Sequence, residues 1–273
     1  MTDLNSARSL LFVPGDRPER FVKAAASGAH AIIIDLEDAV SPEDKANARF
    51  NIIKFLNDGA GGNVLVRIND GASAFYEGDL DVAQHPNLSG VILPKANTRH
   101  VTELLHKMEC PVWPLVETIQ GVSEVREFAV LHNVQRLLLG TIDLSNEMGL
   151  DVAHPGGKSM LDQARFKLVS ASGMAAISPP IDGVFPSLDD EPGLIAAAEN
   201  ARASGMGGMM CIHPRQIGAV HTAFAPSAMD IEWAQAVIEA SSNEKSSFRF
   251  RGQMIDKPVL DRAKGILNAE VLG

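Results

Sequence analysis

Eight short apolar runs, separated by stretches with helical periodicity, constrain the fold of this chain more than any other feature. The runs are rich in β-branched residues and cover residues 9–13, 31–36, 64–68, 90–93, 112–116, 137–140, 181–184 and 208–212. Nearly continuous apolar strands are typical of a parallel sheet that is covered on both faces. Strands alternating with helices, eight times over, predict an α/β fold of the (β/α)8 TIM-barrel type, with a doubly wound open sheet as the alternative.

The length of the chain leaves room for a segment beyond the barrel. A barrel of this kind takes about 250 residues, and the chain has 273. The polar stretch SSNEKSS, residues 241–247, is linker-like and sets off a C-terminal tail. We therefore predict a catalytic barrel over residues 1–240 and a C-terminal arm or flap over residues 241–273.

The charge balance argues against some classes of partner. With 24 Lys and Arg against 34 Asp and Glu, the net charge is −10. Proteins that bind nucleic acid or a membrane surface usually present a basic face, so we expect neither partner. An anionic small molecule is still compatible with this charge, because a local arginine or metal ion can outweigh distant charges. No signal-peptide pattern and no membrane-length apolar run is visible, so we expect a cytoplasmic protein.

Polar side chains gather where the apolar runs end, which in a barrel is where the active site lies. They are Asp35, Glu37 and Asp38 in the segment DLED, Arg67 in VRIND, Lys95 in PK, Glu117 in VET, Asp143 in GTID and His213 in IHP. Two carboxylates at neighbouring strand ends, with positions left open for water and substrate oxygens, suit Mg²⁺. The sequence has no His and Cys spacing for zinc, no dinucleotide fingerprint and no Walker loop.

These residues also have purely structural explanations, although Glu117, which closes an apolar run before TIQG, is harder to explain as a helix cap. Asp143 can be the N-cap of the helix that follows it. Arg67 can be the ion-pair partner of the DLED segment, since an arginine inside an apolar strand needs a partner. The DLED carboxylates can belong to a solvated loop, and His213 can hydrogen-bond the turn at Pro214. Lys95 by itself indicates nothing.

Several motifs, taken together, resemble the citrate lyase beta-subunit-like branch of the HpcH/HpaI aldolase family. The resemblance runs in order from residue 8 to about residue 263 and rests on RSLLFVPGDRPERFVKAAASGAHAIIIDLEDAVSPEDKANAR, VRIND, PK, VETIQGV, GTIDLSNEMG and CIHPRQI. It implies a (β/α)8 barrel, a Mg²⁺ cofactor, and lyase or condensation chemistry on a CoA thioester and a 2-oxoacid. It also implies a homotrimer or hexamer in which the C-terminal arm can complete a neighbour's site.

The resemblance assigns roles to particular residues. Glu117 and Asp143 would be the metal ligands, with Glu117 also beside the substrate. Arg67 would bind the carboxyl or carbonyl end of the substrate and act in catalysis, and Asp35, Glu37 and Asp38 would lie near the metal. The segment GQMIDKP is similar to the family's C-terminal MID segment, which would make Asp256 the acid or base that acts on the carbanion.

The implied reaction is Mg²⁺-dependent cleavage of citryl-, citramalyl- or malyl-CoA to acetyl-CoA, or a relative of it, and a 2-oxoacid. Three alternatives stay open: an aldolase for a free 2-oxoacid without CoA, a beta subunit inside a citrate lyase complex, and a binding or regulatory protein. One departure bears on ligand preference. Related chains often carry a lysine just before IHP, whereas this chain has Met209 in that neighbourhood, in GGMMCIHP.

Overall fold

The structure, a computed structural model, describes residues 3–59, 61–242 and 247–271. It consists of two compact units, Met1–Ala223 and Phe224–Gly273. In the first unit, eight strands pair in parallel in chain order, and the eighth pairs with the first to close a barrel. This confirms the predicted α/β TIM barrel and rules out the open sheet.

The observed strands coincide closely with the apolar runs. They are β1 Ser9–Pro14, β2 Ala31–Asp35, β3 Val64–Arg67, β4 Gly90–Leu93, β5 Val112–Val116, β6 Leu138–Leu139, β7 Ile181–Asp182 and β8 Gly208–Cys211. Each begins at the predicted position or one residue after it. The agreement is close because a strand covered on both faces must be apolar at every position, and that pattern stops where the strand reaches the polar edge of the barrel.

Within the described residues, nine helices accompany the strands of the barrel. They are α1 Phe21–Ala25, α2 Lys45–Asn57, α3 Tyr76–Ala83, α4 Thr98–Leu105, α5 Ile119–Ala129, α6 Thr141–Met148, α7 Pro155–Ala175, α8 Glu191–Ala203 and α9 Arg215–Phe224. The sequence did not predict α3. The sequence of α3 is acidic and contains Gly78, a poor helix former, and its helical state is stabilised by burial of Leu80, Val82 and Ala83. No helix within the described residues is both long and apolar enough to cross a membrane.

The barrel interior is filled by one apolar residue or two from each strand. These inward residues are Leu10, Ala31, Ile33, Leu65, Ile92, Trp113, Leu115, Leu138, Ile181 and Met210. Leu4 and Ala7, from the segment before β1, belong to the same core. Because side chains alternate between the two faces of a strand, this series also fixes which residues point inward further along each strand.

A histidine pair lies beside the start of β1. The rings of His30 and His221 stack with centroids 4.4 Å apart. Nδ1 of His30 accepts a hydrogen bond from the N–H of Arg8 (2.8 Å), and Nε2 of His221 lies 2.8 Å from Oγ of Ser9. Burial, with the charges of His221, Arg8 and Arg136, lowers the pKa of His30 to about 4. Both rings are therefore neutral in the folded protein near pH 7.

We expect the free energy of unfolding to fall as the pH drops from about 6.5, the ordinary histidine value, towards 4. In that window the unfolded chain takes up a proton on residue 30 that the folded chain does not, so acid favours unfolding. The loss is at most about 3 kcal/mol, from about 1.36 kcal/mol per pKa unit. Urea denaturation at several pH values measures it. The variant H30N keeps an acceptor for the Arg8 N–H but cannot titrate at position 30, so its free energy of unfolding should depend less on pH than that of the wild type. An equal slope in the two proteins would contradict this account.

The second unit is a small α/β cluster. Helix α10, Ala228–Ser241, packs on α11, Lys257–Val271, and a hairpin of β9, Phe248–Phe250, and β10, Gln253–Ile255, joins them. Ala234, Val237, Ile255 and Ala263 form its core. The hairpin turns through Arg251 and Gly252, both at positive φ, as tight two-residue hairpin turns require.

The division between the units differs from the predicted one. The sequence placed the boundary after residue 240, whereas the structure divides at Ala223 and Phe224. Helix α10 belongs to the second unit because its apolar residues pack against α11 and the hairpin. A linker pattern in the sequence does not reveal that packing partner. Of the predicted linker, residues 243–246 lie outside the described residues.

Candidate functional site

Side chains alternate between the two faces of each strand, and the series that fills the barrel core also directs three polar side chains into the barrel's C-terminal end. The inward positions of β2, β3 and β5 continue, two residues further on, to Asp35, Arg67 and Glu117. All three line a cavity of about 870 Å³, and Asp38 and Asp143 line it too. The structure therefore brings together in one cavity most of the residues that the sequence singled out.

Arg67 is held in a fork by Asp35, its partner across β2 and β3. Nε and Nη2 of Arg67 donate to Oδ1 and Oδ2 of Asp35 at 2.6 and 2.7 Å. Burial alone would raise the pKa of Asp35, but Arg67 and the N–H groups of Ala39 and Glu37 hold it below its ordinary value. Burial likewise opposes the charge of Arg67, and the carboxylates around it outweigh burial and raise its pKa. The ion pair that the sequence left open is therefore present, and it fixes a cation at the cavity wall.

Glu37 lies between two basic side chains. Its Oε2 is 2.9 Å from Nη1 of Arg67, and its Oε1 contacts Nζ of Lys95. Burial raises the pKa of Glu37 although Arg67 and Lys95 favour its charged form. Asp38, by contrast, has a side chain 62 % exposed, 3.8 Å from Nη1 of Arg67. The solvated-loop explanation of DLED therefore fits Asp38 and is wrong for Asp35 and Glu37, which are buried.

Glu117 is a buried carboxylate that faces the cavity. Its side chain follows β5 and is almost fully buried, and its Oε1 accepts a hydrogen bond from the N–H of Lys95 at 2.9 Å. It does not cap α5, because Oγ1 of Thr118 accepts the N–H of Gly121 there. Burial, then the charge of Glu37 and to a smaller degree that of Asp143, raises the pKa of Glu117 to about 8.

Gly140, at the end of β6, leaves the space that Glu117 occupies. A Cβ at position 140 would lie 2.4 Å from Cβ of Glu117 and 2.6 Å from Oε2. Neither atom can give way easily in a packed interior. Only glycine therefore fits beside Glu117 in this arrangement.

We expect Gly140→Ala to displace Glu117 and to destabilise the protein by about 1–3 kcal/mol, the usual cost of overpacking. Gly173→Ala on α7 is the matched control. A Cβ there meets nothing within 4 Å, and alanine in a helix is about 1 kcal/mol better than glycine. Thermal denaturation of the two variants measures the contrast. Equal melting temperatures would show that Glu117 does not depend on the absent side chain at position 140.

Asp143 is positioned by a helix terminus rather than by a strand. It lies in the first turn of α6, whose N-cap is Gly140, and it is exposed at the cavity rim. The interpretation of Asp143 as the N-cap is therefore wrong, although a carboxylate in a first helical turn is favoured by the helix dipole. Its charge is close enough to Glu117 to contribute to that residue's raised pKa.

Two lysines near the site make contacts that the sequence did not indicate. The buried Lys45 donates from Nζ to the carbonyls of Leu36 and Glu37 at 2.8 and 2.9 Å, which holds the DLED backbone. Lys95 contacts two glutamates at once and has φ 48°. The sequence signals for Lys95 were its place at the end of an apolar run and the motif PK, and neither shows which groups its side chain contacts.

The donor set fits a hard divalent cation. Glu117 and Asp143 are oxygen donors at one cavity, and a cation between them would offset the burial and the neighbouring negative charges that raise the pKa of Glu117. In the part of the chain that the structure describes, no group of three or more His, Cys, Asp and Glu side chains is arranged to hold a metal. Two carboxylates completed by water and substrate are the ligation typical of Mg²⁺ and not of structural zinc.

Two further residues from the sequence have defined local contacts. His213 lines the cavity and its Nδ1 accepts the N–H of Arg215 at 3.1 Å, which is the turn contact that the sequence allowed. Asp256 lies in the second unit, is exposed, and accepts the N–H of Val259 at 3.3 Å in front of α11. Its assignment as an acid or base stays a prediction.

Known proteins resemble this chain over most of its length. Residues 8–214 match the HpcH/HpaI aldolase/citrate lyase family model. A citrate lyase subunit beta-like protein of Deinococcus radiodurans is 34 % identical, over 96 % of this chain and 97 % of that protein. Two enzymes of Cereibacter sphaeroides are each 31 % identical: an L-malyl-CoA/beta-methylmalyl-CoA lyase, over 97 % of this chain and 93 % of that protein, and a (3S)-malyl-CoA thioesterase, over 85 % and 82 %.

A solved structure extends the likeness to the fold. CitE of Mycobacterium tuberculosis, in complex with magnesium, acetoacetate and coenzyme A, superposes with a TM-score of 0.86 at 33 % identity, over 98 % of this chain and all of that one. The match of the family model spans the barrel from β1 to the segment after β8, which carries the strand-end residues described above. This chain therefore belongs to the HpcH/HpaI aldolase/citrate lyase family.

Proposed function

We propose that this protein is a Mg²⁺-dependent carbon–carbon lyase that cleaves a 3-hydroxyacyl-CoA thioester of the citryl-, citramalyl- or malyl-CoA type. The products would be acetyl-CoA, or a relative of it, and a 2-oxoacid. The observation that carries the proposal is the rigid Arg67 beside Glu117 and Asp143 in one cavity. The named relatives act on malyl-CoA thioesters or are beta-type citrate lyase proteins, which supports the same substrate class.

Cleavage of such a thioester places charge on oxygen. The hydroxyl proton passes to solvent as its carbon becomes a carbonyl, the adjacent carbon–carbon bond breaks, and the electron pair passes to the thioester fragment as an enolate. Arg67 can stabilise negative oxygen at the cavity wall, because its guanidinium has more N–H donors than its contacts with Asp35 and Glu37 use. Since Asp35 fixes its orientation beforehand, little reorganisation is needed when the charge develops.

Mg²⁺ would be held by Glu117 and Asp143, and when bound it supplies Lewis-acid polarisation of the substrate's oxygens. Asp35, Glu37 and Asp38 would surround this centre without ligating the metal. Arg20 and Lys23, which also line the cavity, supply positive side chains that could contact an anionic thioester.

The enolate must receive a proton on carbon, and we propose Asp256 for that step. The assignment rests on the similarity of GQMIDKP to the family's C-terminal segment. We further propose that the protein acts in the cytoplasm as a homotrimer or hexamer, with Asp256 of one copy acting in the site of another. Light scattering would give the oligomer size. Mixing D256N subunits with subunits that carry an inactivating E117A change would test the sharing of sites, since restored activity requires it.

The first experiment is a cleavage assay on citryl-, citramalyl- and malyl-CoA with and without EDTA. Released 2-oxoacid and free CoA thiol are followed separately. A 2-oxoacid that appears only with Mg²⁺ supports the lyase. Free thiol that appears without 2-oxoacid would replace it with a thioesterase, the activity named for one relative. No turnover in a protein that binds Mg²⁺ would leave the free 2-oxoacid aldolase or a subunit role.

The role of a beta subunit inside a citrate lyase complex is the second candidate. It is favoured by the likeness, over almost the full length of both chains, to a citrate lyase subunit beta-like protein. Purification of the protein at its natural abundance distinguishes the two. Co-purification with an acyl carrier and a transferase subunit would favour the complex, and activity of the isolated homo-oligomer would favour the stand-alone lyase.

A further inference from the structure

Two carboxylates, Glu37 and Asp143, lie near enough to Glu117 for their charges to act on it, and the three are held differently. Glu117 accepts a hydrogen bond from a backbone N–H, whereas Glu37 contacts two basic side chains, Nη1 of Arg67 and Nζ of Lys95. A small hard cation with free access to all three would gain from binding all three. Something must therefore keep Glu37 apart if the metal is to keep positions for substrate.

Lys95 is placed to do this. It follows β4 with φ 48°, in the left-handed region that a non-glycine residue rarely adopts. In this conformation its N–H points to Oε1 of Glu117 at 2.9 Å while its side chain turns to Oε1 of Glu37. One residue thus contacts both glutamates through different groups. Backbone conformations of this kind persist where the surrounding structure requires them, often at functional sites.

We propose that Lys95 is a positioning residue that holds the Glu37 carboxylate against Arg67 and away from the metal, so that the metal keeps open positions for substrate. The inference rests on the proposed function, since it takes Glu117 and Asp143 as the metal ligands. It assigns a separate task to each carboxylate: Asp35 orients Arg67, Glu117 binds the metal, and Glu37 is restrained from doing so.

The proposal predicts an unusual sign for the effect of a substitution. Loss of a residue that merely supports a metal site typically weakens metal binding or activity by about 10- to 100-fold. Lys95→Met should instead tighten Mn²⁺ binding, by roughly three- to tenfold, because Glu37 loses a cation partner and becomes available as a ligand. Turnover should fall by about tenfold, because the freed carboxylate competes with substrate for the metal.

The test uses Mn²⁺ as the probe, in the full-length protein. Electron paramagnetic resonance titration gives its dissociation constant, and water proton relaxation reports how many exchangeable waters the bound ion keeps. In K95M we expect tighter binding and fewer waters, and in K95R values near those of the wild type. Lys107→Met is the matched control. Lys107 also pairs with one glutamate, Glu77, and its side chain is 39 % exposed against 42 % for Lys95, but Glu77 is 74 % exposed whereas Glu37 is 6 % exposed.

A double variant separates the proposed mechanism from a general charge effect. If Lys95 acts through Glu37, then K95M should change Mn²⁺ affinity less than about twofold in an E37Q background. Tightening of the same size in that background would overturn the proposal, and so would unchanged or weaker Mn²⁺ binding by folded K95M. Saturable binding that the wild type shows and E117Q loses establishes the metal site itself. If the wild type shows no such binding, the proposed function and this inference are both overturned. The outcomes for K95M and for the double variant overturn the inference alone.

Discussion

Glu117→Ala should abolish Mg²⁺-dependent turnover, with kcat lowered by at least about 1000-fold. The carboxylate is one of only two proposed protein ligands, and supporting residues alone usually account for about 10- to 100-fold in affinity or activity. Isothermal titration with Mg²⁺ and the EDTA-controlled cleavage assay measure the two losses together. Full activity in this variant would remove Glu117 from the metal shell.

The variant Glu117→Gln tests whether a loss of turnover at this position results from unfolding of the protein. Burial and the charges of Glu37 and Asp143 disfavour the ionised form of Glu117 and raise its pKa to about 8. Its folded pKa therefore lies above the unfolded value of about 4.3, so metal-free wild type loses stability as the pH rises from about 4 towards 8. Glutamine cannot ionise, so metal-free E117Q should be at least as stable as the wild type at pH 8. E127Q on the exposed face of α5 is the control that should leave activity unchanged.

Arg67→Lys should lower kcat by about 100- to 1000-fold, the usual effect of removing one preorganised donor at a developing oxyanion. Lysine keeps the charge, but it cannot reproduce the fork in which Nε and Nη2 bind both oxygens of Asp35. The protein should remain folded, because Asp35 and Glu37 still have a cation beside them. Steady-state kinetics on the preferred thioester measure the effect, and a rise in KM with kcat unchanged would assign Arg67 to substrate binding alone.

Arg67→Met separates the structural part of that residue's role. It leaves Asp35, which is 1 % exposed, without its charge partner, and an uncompensated buried charge costs about 3–5 kcal/mol. Urea denaturation of R67M should show this loss, and D35N in the same background should recover part of it. If R67M is as stable as R67K, the Asp35 carboxylate must find another partner and the fork is not needed for folding.

The sequence by itself determined the barrel. The eight strands begin within one residue of the apolar runs because each is covered on both faces, and this requirement is local in the chain. It also placed Asp35, Arg67 and Glu117 at strand ends and Asp143 shortly after one, and a barrel brings strand ends together whatever the details of packing. Helix α3 was missed for the converse reason, since its helical state depends on burial of Leu80 and Val82 against other elements.

Only the tertiary structure decided how the polar residues divide their tasks. Lys95, with φ 48°, contacts both Glu117 and Glu37, and Gly140 leaves the space that Glu117 occupies. These residues lie 22 to 58 positions apart in the chain. The same holds for helix α10, which the sequence placed in the barrel and which packs on α11 instead. Periodicity reports which face of a segment is buried, but the identity of the group it is buried against is a property of the folded chain. For this reason the sequence located the site, and the folded structure assigned the partner of each charge within it.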